Sequence, residues 1–215
     1  MSIAVYQDVL CRMVAGAELR KRIAASPDEE LRGYDLTERE RRRLRAIAQQ
    51  KGLAVSGAIH RANRLLPLHQ ALPYTCLLLG AQLRETVDRY WRDNPVENLQ
   101  LPGESERFAE YLTAEIEAGR VSAGEFLEEV LAFERAATEL RFFGGAGRAI
   151  RMVRFRHDPV PLLEALARRE TPGPGIEAGE FHLLIDCRKG EPEFRLLDEG
   201  AAAALAAIED DTEKS

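Results

Sequence analysis

Up to about residue 143, apolar residues recur at the spacing of one face of an α-helix. Each such stretch is long enough to bury one face against its neighbours, and β-branched residues, which favour strands, are sparse. The pattern therefore predicts an all-α region. The predicted helices cover about Val5–Ala25, Thr37–Gly52, Val55–Leu66, Thr75–Trp91, the stretch around Phe108–Ile116, and Ser122–Arg141.

Capping and breaking residues delimit these helices. Thr37 and Glu40 have the spacing of a capping box, in which each side chain accepts a hydrogen bond from a free backbone N–H at the helix start. Gly52 is expected to end that helix, and Asn94-Pro95 and Gly119 to separate later ones. Pro67 and Pro73 are expected to interrupt the chain between two helices.

Beyond the glycine run Gly144–Gly147, apolar and polar residues alternate with the period of strands. Strands are predicted at Arg151–Arg156, Phe181–Ile185 and Phe194–Leu197, with short helices at Pro161–Arg169 and Gly200–Ile208. The fold class is therefore α+β, an N-terminal all-α helical domain followed by a small C-terminal α/β domain. We place these domains at 1–143 and 148–208, with a hinge at the glycine run and a disordered acidic tail at 209–215.

Composition narrows the functional classes. The chain has 45 % hydrophobic and 31 % charged residues and a net charge of −6, so it should fold, and nucleic acid is disfavoured as its main partner. Cys11, Cys76 and Cys187 form no C-x-x-C pair, which argues against a disulfide framework or a zinc site and fits a reducing cytoplasm. No apolar run approaches the roughly 18 residues of a membrane span.

No catalytic or metal-binding pattern is visible among the polar residues. The four histidines form neither H-x-x-x-H nor H-E-x-x-H. Glu134 is the one carboxylate set among strongly apolar neighbours, where a buried ion pair with an arginine of another helix would explain it. We therefore expect a binding protein rather than an enzyme. A free-standing enzyme, the alternative, would need a bound metal or cofactor, which the pattern does not suggest.

Two arginine-rich stretches suggest binding surfaces. The first lies within Glu38–Arg45, and a solvated helix face is its simpler interpretation. The alternative is a helix-turn-helix within Ala48–Arg64, in which Ala48 would let the helices approach, Gly52 would make the turn and Arg61 would face DNA. The second comprises Arg148, Arg151, Arg154 and Arg156. A strand edged by arginines is either a protected edge or a receiver for an acidic extended peptide, and both interpretations stay open.

Several short motifs together resemble one family. They are Ala62-Asn63-Arg64-Leu65, Leu72-Pro73-Tyr74-Thr75, Leu78-Leu79-Gly80, Tyr90-Trp91-Arg92-Asp93-Asn94-Pro95, Phe108-Ala109-x-x-Leu112 and Leu131-Ala132-Phe133-Glu134-Arg135-Ala136, with Tyr34-Asp35-Leu36-Thr37 fitting the N-terminal region. In this order they are similar to partner subunits of multinuclear non-heme iron-dependent oxidases. Such pairs modify ribosomally made peptides, as in the methanobactin and thiaglutamate pathways.

The resemblance implies a division of labour. Iron and oxygen chemistry would belong to the oxidase subunit, so this chain would hold no cofactor. Its helical domain would dock on the oxidase, and its C-terminal domain would resemble the element that recognises a precursor's leader peptide, with modification of the core expected at cysteine. The expected leader site lies beside Phe181–Ile185 or Arg151–Arg156, with Arg151, Arg154, Arg156, Phe181, Leu183 and Ile185 as binding residues. The alternative is a DNA-binding regulator.

Overall fold

The structure is a computed structural model that describes residues 3–94, 101–122, 124–143 and 149–213. Helices come first along the chain and a three-stranded antiparallel sheet lies near the C-terminus, which confirms the α+β class. The helices are α1 (Ile3–Ala15), α2 (Ala17–Ala25), α3 (Pro27–Glu30), α4 (Glu38–Ala48), α5 (Lys51–Ala71), α6 (Pro73–Leu79), α7 (Leu83–Asp93), α8 (Leu101–Glu117), α9 (Leu127–Phe143), α10 (Pro159–Ala167) and α11 (Glu199–Glu213); the strands are β1 (Ile150–His157), β2 (Ala178–Asp186) and β3 (Glu193–Leu197).

The chain divides into two compact units at a different place from the predicted boundary near residue 143. One unit covers residues 1–66 and the other residues 67–215. Within the second unit, Phe133 and Leu140 of α9 share a hydrophobic core with Phe155 of β1 and Leu183 of β2. Because helix and sheet bury the same side chains, the sheet does not form a core of its own. The predicted hinge at residues 144–147 lies outside the described residues.

The first unit is built around α1, α2 and α4. Its core contains Val9, Met13, Ile23 and Leu44. The first predicted helix is broken at Gly16, whose extended backbone separates α1 from α2. The helical pattern did not predict this break, because the apolar spacing continues across it.

The corner between α4 and α5 corrects two predictions. The capping box of Thr37 and Glu40 is present as expected. However, the turn lies at residues 49–50, and Gly52 is inside α5 rather than at the end of the preceding helix. α5 then continues through Pro67 to Ala71. Pro67 removes one N–H from the helix, which weakens it locally without ending it here.

The helices of the second unit that precede the sheet follow the predicted pattern with shifted ends. The predicted helix Thr75–Trp91 is divided at Gly80, whose φ of +48° begins a short 3-10 turn between α6 and α7. A backbone with positive φ is strained for most residues, so glycine suits this break. Asn94 closes α7 and Gly119 follows α8, both as predicted. α9 starts at Leu127, five residues after the predicted Ser122.

The sheet has the order β1-β2-β3, with both neighbouring pairs antiparallel. β2 is therefore the central strand, and β1 and β3 are the edges. Val153, Leu183 and Leu196 are register partners across the three strands, so they lie on one face of the sheet. That face packs on α9 and on Leu162 and Leu166 of α10.

The final helix is longer than predicted. α11 continues to Glu213, so residues 209–213, expected to be a disordered tail, belong to a helix. The alanine run at 201–204 is a strong helix former, which favours this helix. In the part of the chain that the structure describes, no helix combines the length and apolar content that a membrane span requires.

Candidate functional site

The backbone of β3 points alternate hydrogen-bonding groups away from the sheet. Where β1 and β2 meet, the N–H of Cys187 donates to the carbonyl of Ala149 at 2.7 Å. Because backbone groups of successive residues point to opposite sides of a strand, this bond fixes which residues of β2 face β1 and which face β3. Phe194 and Leu196 are the register partners of Ile185 and Leu183, whose backbone groups face β1. The N–H and C=O groups of Phe194 and Leu196 therefore point outwards, away from β2. Among the described residues, none forms a hydrogen bond with the outward N–H groups of these two residues.

The other edge of the sheet is partly occupied. On β1 the same alternation directs the N–H of Arg156 outwards, and it donates to a carboxylate oxygen of Glu129 on α9 at 2.6 Å. A register shift between Phe155 and His157 further interrupts this edge. Edges that are bulged or covered by side chains resist the addition of another strand. β3 is therefore the more accessible edge.

The side chains of Phe194 and Leu196 line an open groove of about 1130 Å³. They are 50 % and 48 % exposed although they lie on the core-facing side of the sheet. Leu183 and several residues of α10 also line the groove. On α10, Val160, Leu163 and Ala167 recur at helical spacing and face the groove together.

Exposed apolar side chains concentrate at this groove. Phe142 and Val160, like Phe194 and Leu196, are large apolar residues with substantial exposure, and all four line it. Leaving such groups in water is unfavourable, so contiguous apolar surface in a groove is typical of a binding site. Next to this surface runs an open strand edge, and the two together suit an extended peptide that adds a strand and inserts alternate side chains.

Glu134 lies in the wall of the groove and is 4 % exposed. The expected ion pair with an arginine is wrong, because its two oxygens instead accept the backbone N–H groups of Tyr74 at 2.6 Å and Thr75 at 2.8 Å. These are free N–H groups at the start of α6, where a carboxylate is favourable. Burial nevertheless raises the pKa of Glu134 to about 7, against the opposing effect of the hydrogen bonds from Thr75 and Tyr74.

The loop that joins β2 to β3 contributes several residues to the lining of the groove. Asp186 accepts three hydrogen bonds from the Arg188 guanidinium, at 2.5, 2.9 and 3.0 Å, and one from the Arg188 backbone N–H at 3.0 Å. These bonds hold the pKa of Asp186 at about 2. Gly190 adopts a φ of +95° in the same loop, which a side chain would strain. The loop therefore presents Glu191 and Pro192 to the groove in a defined conformation.

The predicted arginines of β1 do not line the groove, and each is paired with a carboxylate of this chain. Arg151 pairs with Glu139 at 2.6 Å, Arg154 with Glu180 at 3.2 Å, and Arg156 with Glu128 at 2.8 Å. Arg154 and Arg156 are exposed on the face of the sheet opposite the core. An incoming acidic peptide would therefore have to compete with carboxylates that are already in place.

The predicted apolar site residues belong to the central strand. Ile185 is fully buried, Leu183 is buried and Phe181 is half-buried, all packed in the core of the second unit. Because both edges of β2 are already hydrogen-bonded, a peptide cannot add beside Phe181–Ile185, and that predicted position is wrong. Of these three residues, only Leu183 lines the groove.

The sequence pattern placed Phe194 and Leu196 in a strand but did not single them out as candidate binding residues. The signal was available in the order of the elements. Three strands in which the last two are joined by a short turn place the middle strand inside and the last strand at an edge. The exposure of alternate apolar residues on that edge depends on α10, which leaves them partly uncovered, and no local pattern reveals this.

A cluster of polar side chains, separate from the groove, lies between the start of α9 and the end of β1. His157 is buried, with Nδ1 at 2.8 Å from Glu129 and Nε2 at 3.3 Å from Glu125. Its ring also contacts Phe126 edge-on at 4.8 Å between centroids. The cluster ties β1 to α9. Across the residues that can be described, no three His, Cys, Asp or Glu side chains are gathered to hold a metal ion.

The first unit carries a separate apolar surface on α5. Val55, Ile59, Ala62 and Leu66 recur at intervals of four, three and four residues, the spacing of a helix–helix seam, and all are exposed. We call these four residues the α5 seam. Arg61, expected to face DNA in the helix-turn-helix alternative, is half-buried, and Arg64, the second arginine of that alternative, is only 3 % exposed.

No protein-family model matches the sequence, and no curated protein matches it significantly. The groove, the open edge of β3 and the α5 seam are the candidate binding surfaces.

Proposed function

We propose that this chain is a non-catalytic partner protein that binds a precursor peptide along β3 and presents it to an iron-dependent peptide oxidase. The observation that carries this proposal is the open edge of β3 above the apolar groove. Phe194 and Leu196 offer outward backbone groups and exposed apolar side chains at the same two positions. Backbone hydrogen bonds would supply affinity, and the groove would select apolar side chains at alternate peptide positions.

Several features support an extended peptide as the ligand. A two-position edge binds a short extended segment, while the groove between β3 and α10 receives the side chains on one side of that segment. The groove is largely apolar, with Arg141, Glu164 and Glu191 among its charged residues. We therefore expect the bound segment to be apolar at every second residue, with selectivity arising more from shape than from net charge.

The α5 seam is the proposed docking surface for the oxidase. Its spacing suits packing against one helix of a partner, and the exposed flanking residues Ser56, Ala58 and Asn63 carry no charge. Tethering the peptide on one surface and the oxidase on another would raise the concentration of the core peptide at the iron. In this proposal iron and redox chemistry belong to the oxidase, and modification of a core cysteine takes place in the cytoplasm.

The resemblance of the helical motifs to partner subunits of iron-dependent oxidases motivates this choice of oxidase. A pull-down from cells that co-express the chain with candidate oxidases and labelled precursor peptides from its gene neighbourhood tests both contacts. The proposal expects a ternary complex in which the peptide is retained through this chain. A chain that retains neither oxidase nor peptide contradicts it.

A further inference from the structure

Glu134 connects the groove to the start of α6. Its carboxylate accepts the N–H groups of Tyr74 and Thr75, and it does so because Leu72, the residue that precedes α6, has no polar side chain to cap the helix. The same side chain lines the groove. Any change in the charge of Glu134 therefore acts on both the groove wall and the α6 N-terminus.

The charge environment of the Glu134 carboxyl group is set by the ionisable groups around the groove. Among the described residues, no basic side chain forms an ion pair with it. Burial is the largest influence on the Glu134 pKa, which lies near neutrality. Tyr74 and Cys76 of α6 interact electrostatically with Glu134. The other ionisable groups that line the groove are Arg141 of α9, Glu164 of α10, and Cys187 and Glu191 of the β2–β3 loop.

We propose that an apolar ligand in the groove binds together with a proton on Glu134. Such a ligand displaces water from the groove side of the carboxyl group, and an apolar environment disfavours the ionised form. Ligand binding then favours protonation, and by reciprocity a lower pH favours ligand binding. The inference rests on the proposed use of the groove as a binding site, but not on the ligand being a peptide.

Proton binding also has a structural consequence at α6. A neutral carboxyl group is a weaker acceptor than a carboxylate, so the N–H groups of Tyr74 and Thr75 lose part of their capping interaction. Tyr74 and Leu78 of α6 pack against the core beneath the groove. Occupancy of the groove is thereby transmitted to α6, the helix that Glu134 caps.

The probe for this coupling is anilinonaphthalene sulfonate, an apolar aromatic dye whose sulfonate stays ionised from pH 6 to pH 9. Its affinity is measured by fluorescence titration across that range on the full chain. Calorimetry at pH 7.5 in phosphate and in Tris, which differ in ionisation enthalpy, counts the protons taken up on binding. We expect net proton uptake, and affinity that is about tenfold higher at pH 6 than at pH 9 if the dye raises the Glu134 pKa by one unit.

Three variants locate the effect. Leu196→Asp should remove dye binding, which establishes that the dye occupies the groove. Glu134→Gln should abolish proton uptake and the pH dependence, and Glu128→Gln, on the same helix but outside the groove, should retain both. If Glu134→Gln does not fold, the proton count of the unaltered chain still decides the question.

Two results would overturn the coupling. Groove-dependent dye binding with no proton uptake and constant affinity contradicts the coupling alone and leaves the groove as a binding site. If the dye does not bind, or if Leu196→Asp leaves its binding unchanged, the groove does not accept the dye. That result contradicts both the coupling and its premise that the groove accepts apolar ligands.

Discussion

The ring of Phe194 lies 5.6 Å from the ring of Phe133, centroid to centroid, with 54° between their planes. Phe133 is buried in the core of the second unit, whereas half of the Phe194 surface is exposed in the groove. This pair connects the edge strand to α9. A preorganised binding residue is held on one side by packing and is free to contact a ligand on the other, and Phe194 meets both conditions.

Truncation of the two rings should separate folding from binding. We expect Phe133→Ala to lower the free energy of unfolding by about 3 kcal/mol, because it opens a cavity in the core. Phe194→Ala should cost about 1 kcal/mol or less, because the ring is half-exposed, yet it should weaken peptide binding about tenfold. Urea denaturation and fluorescence anisotropy with a labelled precursor peptide measure the two effects. Equal stability losses in the two variants would contradict this assignment.

The contribution of the β3 backbone is isolated by two substitutions at one position. Leu196→Ala removes the apolar side chain and keeps the outward N–H, whereas Leu196→Pro removes both. Because that N–H is not part of the sheet, proline is tolerated there. We expect Leu196→Pro to bind the peptide about fivefold more weakly than Leu196→Ala, which corresponds to one hydrogen bond of about 1 kcal/mol.

Arg195→Ala is the control for this pair, since its side chain lies on the opposite face of β3. It should leave peptide affinity within about twofold, as expected of a surface substitution. Thermal unfolding followed by circular dichroism checks that all three variants keep the sheet. Indistinguishable affinities of Leu196→Ala and Leu196→Pro would indicate that the peptide does not add as a strand.

The raised pKa of Glu134 predicts a pH dependence of stability. Its carboxyl titrates at the ordinary value of 4.5 in the unfolded chain and at about 7 in the folded chain. Between these values the folded chain binds more protons, so the contribution of Glu134 is fully present below pH 4.5 and is lost as the pH rises to about 7. The loss amounts to about 3 kcal/mol for a shift of this size.

The difference in unfolding free energy between the unaltered chain and Glu134→Gln separates the effect of Glu134 from the effects of other carboxylates. Asp186 and Glu115, whose pKa values are lowered by their arginine partners, act in the opposite sense and at lower pH. Denaturation at intervals from pH 4.5 to pH 8 should show the difference in unfolding free energy changing up to about pH 7 and constant above it. A difference that does not vary with pH would refute the assignment.

The α5 seam makes a prediction about the oxidase alone. Ile59→Asp places a charge in the middle of the seam and should abolish co-purification with the oxidase while leaving peptide affinity unchanged. Asn63→Asp introduces the same charge at an exposed neighbouring position and serves as the matched control. Loss of oxidase binding in both variants would point to general charge repulsion rather than to the seam.

Sequence patterns predicted the types of the elements better than their ends. Helical spacing located α4, α8 and α9, and alternation located all three strands, because those periods follow directly from burial of one face. The break at Gly16 and the continuation of α5 through Pro67 depend on tertiary packing, which outweighs local preference. For the same reason the chain divides near residue 66, since α9 and the sheet share one core.

The predicted site residues do not lie together on an open surface. Leu183 and Ile185 are core residues, and the β1 arginines are paired with carboxylates on α9 and β2. Strand addition by a peptide stays a prediction. Which alternate positions of a strand are exposed depends on elements distant in sequence, here α10 and α9. The capping role of Glu134 joins residues 60 positions apart and leaves no periodic signature.

Addition of a precursor peptide to β3 should protect the outward backbone amides of Phe194 and Leu196. Hydrogen exchange of individual amides, followed by nuclear magnetic resonance with and without saturating peptide, measures this protection. We expect both amides to exchange at least about tenfold more slowly when the peptide is bound, because each gains a hydrogen bond. Unchanged exchange at both amides in the presence of bound peptide would show that the peptide does not add to β3.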